Sequence, residues 1–151
     1  MDAESVVDLP YIDAHDVSIA APRDLVWTTL QRQLSSVSGG QAGNPFTRLL
    51  GTDPPGGFEV VEAVVSERLT LVGRHRFSRY RLVFELGDAH DGATHVRAET
   101  YARFPGLHGR VYRTLVIGSR AHVLATTHLL RTLRRLSLEA AAAPPAPSDP
   151  L

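Results

Sequence analysis

The 151-residue chain contains no cysteine, and all 16 of its basic residues are arginine. Without thiols it has no disulfides, thiol nucleophiles, thiolate zinc sites or iron–sulfur clusters. Without lysine, a P-loop lysine and Schiff-base chemistry are excluded. No apolar run approaches the ~20 residues that a membrane-spanning helix needs. The 16 acidic residues cancel the 16 basic ones, so no overall field favours nucleic acid or an anionic membrane. A cysteine-free chain with no basic-then-apolar opening is expected in the cytosol. No H-E-x-x-H, EF-hand or G-x-S-x-G pattern occurs. The glycine-rich stretch Ser38 to Gly43 has no Lys-Ser/Thr after it and reads as a loop. His122 and His128 lie roughly 240° apart around a helix and do not converge on a metal. Neither metal nor cofactor is expected.

What is present is a patterned chain, 43% hydrophobic and long enough for one domain with one core. Residues 1–10 read as a flexible acidic segment, 11–138 as a ligand-binding domain, and 139–151 as a disordered Ala/Pro-rich tail. From Tyr11 to Ala20, Asp13, His15, Val17 and Ile19 alternate with Ile12, Ala14, Asp16 and Ser18, which predicts a strand. Pro22 suits a first helical position, and Asp24 lies near the positive end of the helix dipole. Val26, Leu30 and Leu34 then mark a buried helix face, with Trp27 beside them. Asn44-Pro45 opens a second short helix that ends at the Gly51 to Gly57 stretch.

A strand meander follows, over Phe58–Val65, Arg68–Gly73, Arg74–Leu86 and Thr94–Phe104. In its last two strands Ser78, Tyr80, Leu82, Phe84 and Leu86 share a face with Val96, Ala98, Thr100, Ala102 and Phe104. Arg79, Arg81 and Glu85, with Arg97, Glu99 and Arg103, form a wet face with cross-strand charge pairing. The small inward residues Ala98, Thr100 and Ala102 leave room, to be filled by a helix or by a ligand. Leu107 to Leu138 reads as one long helix. Val111, Leu115, Gly118, His122, Thr126, Leu129, Leu133 and Leu136 form its buried stripe, and Gly118-Ser119 mark a kink or close approach. Arg110, Arg113, Arg120, Arg131, Arg134 and Arg135 lie opposite, where they are solvated or meet the acidic first segment of the same or a neighbouring subunit.

This element order, opened by Val17-Ser18-Ile19-Ala20-Ala21-Pro22-Arg23-Asp24-Leu25-Val26-Trp27, resembles the START/Bet v 1-like superfamily. That superfamily is also called SRPBCC and includes proteins labelled polyketide cyclase or dehydrase. The segment Phe104-Pro105-Gly106-Leu107-His108-Gly109-Arg110-Val111-Tyr112-Arg113 also resembles a turn and helix start seen in its members. The resemblance implies an α+β helix-grip fold: an antiparallel sheet wrapped around a long C-terminal helix, with two short helices after the first strand. It also implies an apolar cavity between sheet and helix that holds a lipid or an aromatic polyketide. The superfamily shares no catalytic motif, so no catalytic role carries over by position.

Within that frame the expected ligand-binding residues are Trp27, Ser78, Tyr80, Phe84, Thr100, Phe104, Leu115, Ser119, His122 and Thr126. His122 is the one catalytic candidate. It would hydrogen-bond a ligand carbonyl or act as a general base, or it is a core histidine satisfied by backbone or water. Tyr80 and Thr100 face it from the sheet, as ligand contacts or as part of a Tyr–Thr–His structural network. The expected partner is a small hydrophobic or aromatic molecule, with no nucleic acid, no membrane span and a possible homodimer. Three functions stay open: a binding protein, a cyclase/dehydratase-type enzyme with His122 as base, and an interaction module using the arginine face.

Overall fold

The computed structural model describes residues 8–41, 57–75, 78–116, 118 and 120–144. Five strands form one antiparallel sheet: β1 (Tyr11–Ile19), β2 (Glu59–Val64), β3 (Arg68–His75), β4 (Ser78–Asp88) and β5 (Thr94–Arg103). Their spatial order is β1-β5-β4-β3-β2, so β1 crosses to pair with β5 and the rest is a meander. Three α-helices accompany the sheet: α1 (Arg23–Gln41), α2 (Gly106–Val116) and α3 (Ala121–Ala142). The last of these packs against α1 and β1. This is the expected α+β helix-grip architecture. The first helix is long rather than short, and the expected second helix after Pro45 falls outside the described residues.

Each element follows from its local chemistry. The α1 helix starts where Pro22, preset for a first turn, offers its carbonyl to the Val26 amide at 3.0 Å. Its buried face is Val26, Trp27, Leu30 and Leu34. Across from it the sheet presents Leu69, Leu71, Phe84, Leu86, Val96 and Ala98, and α3 adds Leu130 and Leu133. Fully burying a side chain of this size stabilises the fold by ~1.5–3 kcal/mol. Two polar ties fix the layers: Thr94 Oγ1 donates to the Ala21 carbonyl at 2.7 Å, and Gln33 Nε2 to the Leu129 carbonyl at 3.1 Å.

The expected alternation of β4 and β5 holds. Ser78, Phe84, Leu86, Val96, Ala98 and Ala102 are buried. The opposite face carries the ion pairs Arg68–Glu85, Arg97–Glu99 and Arg97–Asp16, with Arg81 stacked 4.2 Å over the Tyr101 ring. There the Tyr101 hydroxyl, followed by the Arg97 guanidinium, holds the Glu99 carboxyl below its ordinary range. The meander boundary differs from expectation. β3 runs on to His75, which pairs with Ser78, so the chain reverses there rather than at Gly73. Arg74 is exposed at the end of β3.

The main correction concerns the last helix. It is two helices, broken at Arg120, which takes a left-handed backbone conformation (φ 58°). The Gly118 amide still donates to the Thr114 carbonyl at 3.0 Å. A Cβ at Gly118 would overlap that carbonyl oxygen, so the close approach needs glycine there. The break turns the front of the expected stripe outward: Val111 and Leu115 are 63% and 65% exposed, while Leu133 is fully buried. All six arginines of this region are exposed, and Arg135 pairs with Glu139 at 3.1 Å. The acidic segment proposed to meet them lies mostly outside the described residues. Among the described residues, no helix is long and apolar enough to cross a membrane.

Candidate functional site

Between the concave face of the sheet and the two last helices lies a cavity of about 220 Å³. The meander supplies Phe58, Ser78, Tyr80, Leu82, Thr100 and Ala102, and Phe104 follows as β5 ends. Tyr112 comes from α2, and His122, Ala125 and Thr126 come from α3. The walls are mainly aromatic and aliphatic. Phe58 and Tyr80 meet edge to face with centroids 5.2 Å apart, and Phe104 lies 6.2 Å from Tyr112. Such pairs contribute ~0.5–1.5 kcal/mol beyond their buried area.

A polar cluster sits at the β1 side. A bulge between Tyr11 and Asp13 resets the register so that Asp13 stands opposite Thr100. Alternation then places His15 opposite Ala98, on the same inner face. Asp13 Oδ2 lies 2.9 Å from His122 Nε2 and 3.1 Å from His15 Nε2. The three side chains are 21%, 15% and 25% exposed, so solvent screens them little. A carboxylate oxygen only accepts, so both rings donate to it from Nε2. Asp13 Oδ1 and Thr100 Oγ1 are buried beside this cluster, with no hydrogen-bond partner among the described residues. Unmet buried acceptors are costly, and a ligand that supplies a donor removes the cost.

Tyr80 marks the opposite side. Its hydroxyl donates to the Gly57 carbonyl. Burial, with a lesser contribution from Tyr112, pushes its pKa up to about 12. It is therefore a neutral donor across the physiological range. Burial also raises Tyr112 above its ordinary value.

Six of the residues singled out in the sequence line this one cavity: Ser78, Tyr80, Thr100, Phe104, His122 and Thr126. The Thr126 hydroxyl is turned back onto its own helix, donating to the His122 carbonyl at 3.0 Å. Three others are placed elsewhere. Trp27 and Phe84 are packed in the core, because α1 and the middle of β4 face each other there. Leu115 points to solvent because of the break at Arg120. Ser119 lies outside the described residues. Sequence reasoning missed Asp13 and His15 as site residues, although the alternation set both on the same strand face as Val17 and Ile19. Two polar side chains on a buried strand face were the available signal.

No protein-family model matches the chain, and a search of curated proteins finds no significant match. Solved structures do share its architecture. A conserved protein from Geobacillus kaustophilus is similar at TM-score 0.58 and 12% identity, over 84% of this chain and 95% of that one. Truncated norcoclaurine synthase from Thalictrum flavum is similar at TM-score 0.51 and 11% identity, over 87% of this chain and 98% of that one. A protein from Mycobacterium smegmatis is similar at TM-score 0.50 and 15% identity, over 84% and 96%. At these identities the likeness establishes the fold, a helix-grip fold of Bet v 1-like type.

Proposed function

We propose that the protein binds one small, flat, mostly apolar or aromatic molecule between the sheet and its last two helices. The observation that carries this reading is the cavity itself, walled by Phe58, Tyr80, Leu82, Phe104 and Tyr112, with a half-buried Asp13–His122 pair at one side. An apolar concavity with a few placed polar groups is the usual form of a small-molecule site. Its size favours a molecule of one or two rings: an apolar cavity of ~150 Å³ accepts benzene, and drug-sized ligands occupy ~300–1,000 Å³. A sterol or a two-chain lipid fits this volume poorly. Native mass spectrometry of the purified protein, with displacement of an apolar dye at micromolar protein, tests the reading. A retained small molecule or dye displacement supports it, and the absence of both overturns it.

A second reading is favoured by one observation, the Asp13 contact to His122. A histidine oriented by a carboxylate is equipped for general-base work in a cyclase- or dehydratase-type reaction. One positioned base accelerates proton transfer by about 10²–10⁴-fold. Turnover of a candidate substrate that survives His122→Phe removes this mechanism; loss of turnover with binding retained supports it.

A further inference from the structure

The break at Arg120 turns an apolar stripe outward, and the charges beside that stripe say what chemistry it suits. Leu107, Val111 and Leu115 are 75%, 63% and 65% exposed on α2. Spaced four residues apart, they share one outer face within roughly 80° of arc. The helix is held to the fold from its other side. Gly109 is buried against Phe104, where a Cβ would come within 2.7 Å of the backbone, and the half-buried Tyr112 lines the cavity. Arg110 and Arg113 flank the stripe on one side and His108 on the other, all three exposed. No acidic residue lies on α2, and neither arginine has an ion-pair partner among the described residues.

We propose that this face docks on an anionic membrane surface, with the three aliphatic side chains among the lipid headgroups and both arginines on lipid phosphates. An amphipathic helix with cations beside its apolar face is the form that lies in a bilayer interface rather than across it. The chain's charges cancel overall, so the attraction is local to this helix. A second copy of the chain fits less well. Two such stripes packed antiparallel about a two-fold axis set the arginine flank against itself, and two packed in parallel set it against His108. Neither arrangement supplies a negative charge. Three aliphatic side chains also fall well short of the ~800 Å² per partner that a stable protein interface buries, whereas a fluid bilayer moulds to a convex face. The inner side of the same helix borders the cavity through Tyr112, so docking brings that cavity near the phase in which apolar molecules dissolve. The proposal goes beyond the binding reading and does not depend on it.

Vesicle flotation tests it, comparing equimolar phosphatidylglycerol and phosphatidylcholine with phosphatidylcholine alone. The protein should partition onto the anionic vesicles about tenfold or more strongly than onto the neutral ones, and about 1 M salt should release it. Leu107→Ser with Leu115→Ser, and separately Arg110→Gln with Arg113→Gln, should each weaken that partitioning about tenfold or more. Arg131→Gln with Arg134→Gln removes the same charge from exposed positions on α3 and should leave it within about twofold. All six side chains are exposed, so an unchanged Tm shows that each variant is folded. No flotation with the anionic vesicles, equal flotation with the neutral ones, or an equal loss in the α3 pair overturns the proposal. A dimer in light scattering that Leu107→Ser with Leu115→Ser dissolves assigns the stripe to a second copy and overturns it as well. None of these outcomes touches binding inside the cavity, so that reading stands or falls by its own test.

Discussion

Replacing Leu133 and Leu115 separately by alanine tests whether the C-terminal region is one helix or two. In an unbroken helix both leucines belong to one stripe. In the structure Leu133 is fully buried beneath α1 and the sheet, whereas Leu115 is 65% exposed on α2. Truncating a buried leucine removes its transfer free energy and leaves a cavity, at a cost of ~2–5 kcal/mol. Truncating an exposed one costs no more than ~0.5 kcal/mol. For a chain of this size, 1 kcal/mol moves the unfolding temperature by roughly 2–4 °C. Leu133→Ala should therefore lower Tm by roughly 5–15 °C, and Leu115→Ala by no more than about 2 °C. Urea unfolding followed by circular dichroism, with equal m-values required of both variants, gives the free energies directly. A Leu115→Ala cost within about 1 kcal/mol of the Leu133→Ala cost would refute the break at Arg120 and restore the continuous buried stripe.

Two further predictions concern the Tyr80 side of the cavity. A Cβ at Gly73 would overlap the Gly57 carbonyl oxygen and come within 2.6 Å of the Tyr80 ring and hydroxyl. Gly73→Ala should thus cost ~1–3 kcal/mol in urea unfolding, with part recovered in a Tyr80→Ala background. Because Tyr80 is raised from 10.0 to about 12, the folded state keeps a proton that the unfolded chain loses between those values. Stability supplied by this group is present below pH 10.0 and falls as pH rises towards 12. Tyr80→Phe should flatten the stability slope in that window by up to about one proton, and an unchanged slope would count against the burial of this hydroxyl.

The parts of the fold written in short-range periodicity were legible in the sequence. Alternation in β4 and β5 placed Phe84, Val96 and Ala98 inward, and Pro22 with Asp24 marked the start of α1. The sequence marked a kink or close approach at Gly118-Ser119 but not a full break into two helices, because a 3.6-residue stripe continues formally through Gly118 while the left-handed turn depends on Arg120, a residue with no special liking for that conformation. Trp27 and Phe84, named among the expected ligand contacts, pack in the core. Periodicity gives the face of an element but not which part of that face meets the core and which meets the cavity. Asp13 was visible as a strand residue, yet its partner His122 lies far along the chain, and only the folded arrangement brings them together.

The most direct test of the central claim is nitrobenzene binding to the wild-type protein, Ala125→Phe and Leu124→Phe, measured by titration calorimetry. Ala125 is solvent-exposed on α3 and lines the cavity, so a phenylalanine there fills it without entering the core. Leu124 is its neighbour, 69% exposed and outside the lining. The structure predicts wild-type binding that Leu124→Phe leaves intact and Ala125→Phe weakens by about tenfold or more, the scale set by losing an apolar site of one ring. Equal binding by all three proteins would place the ligand elsewhere and contradict the account.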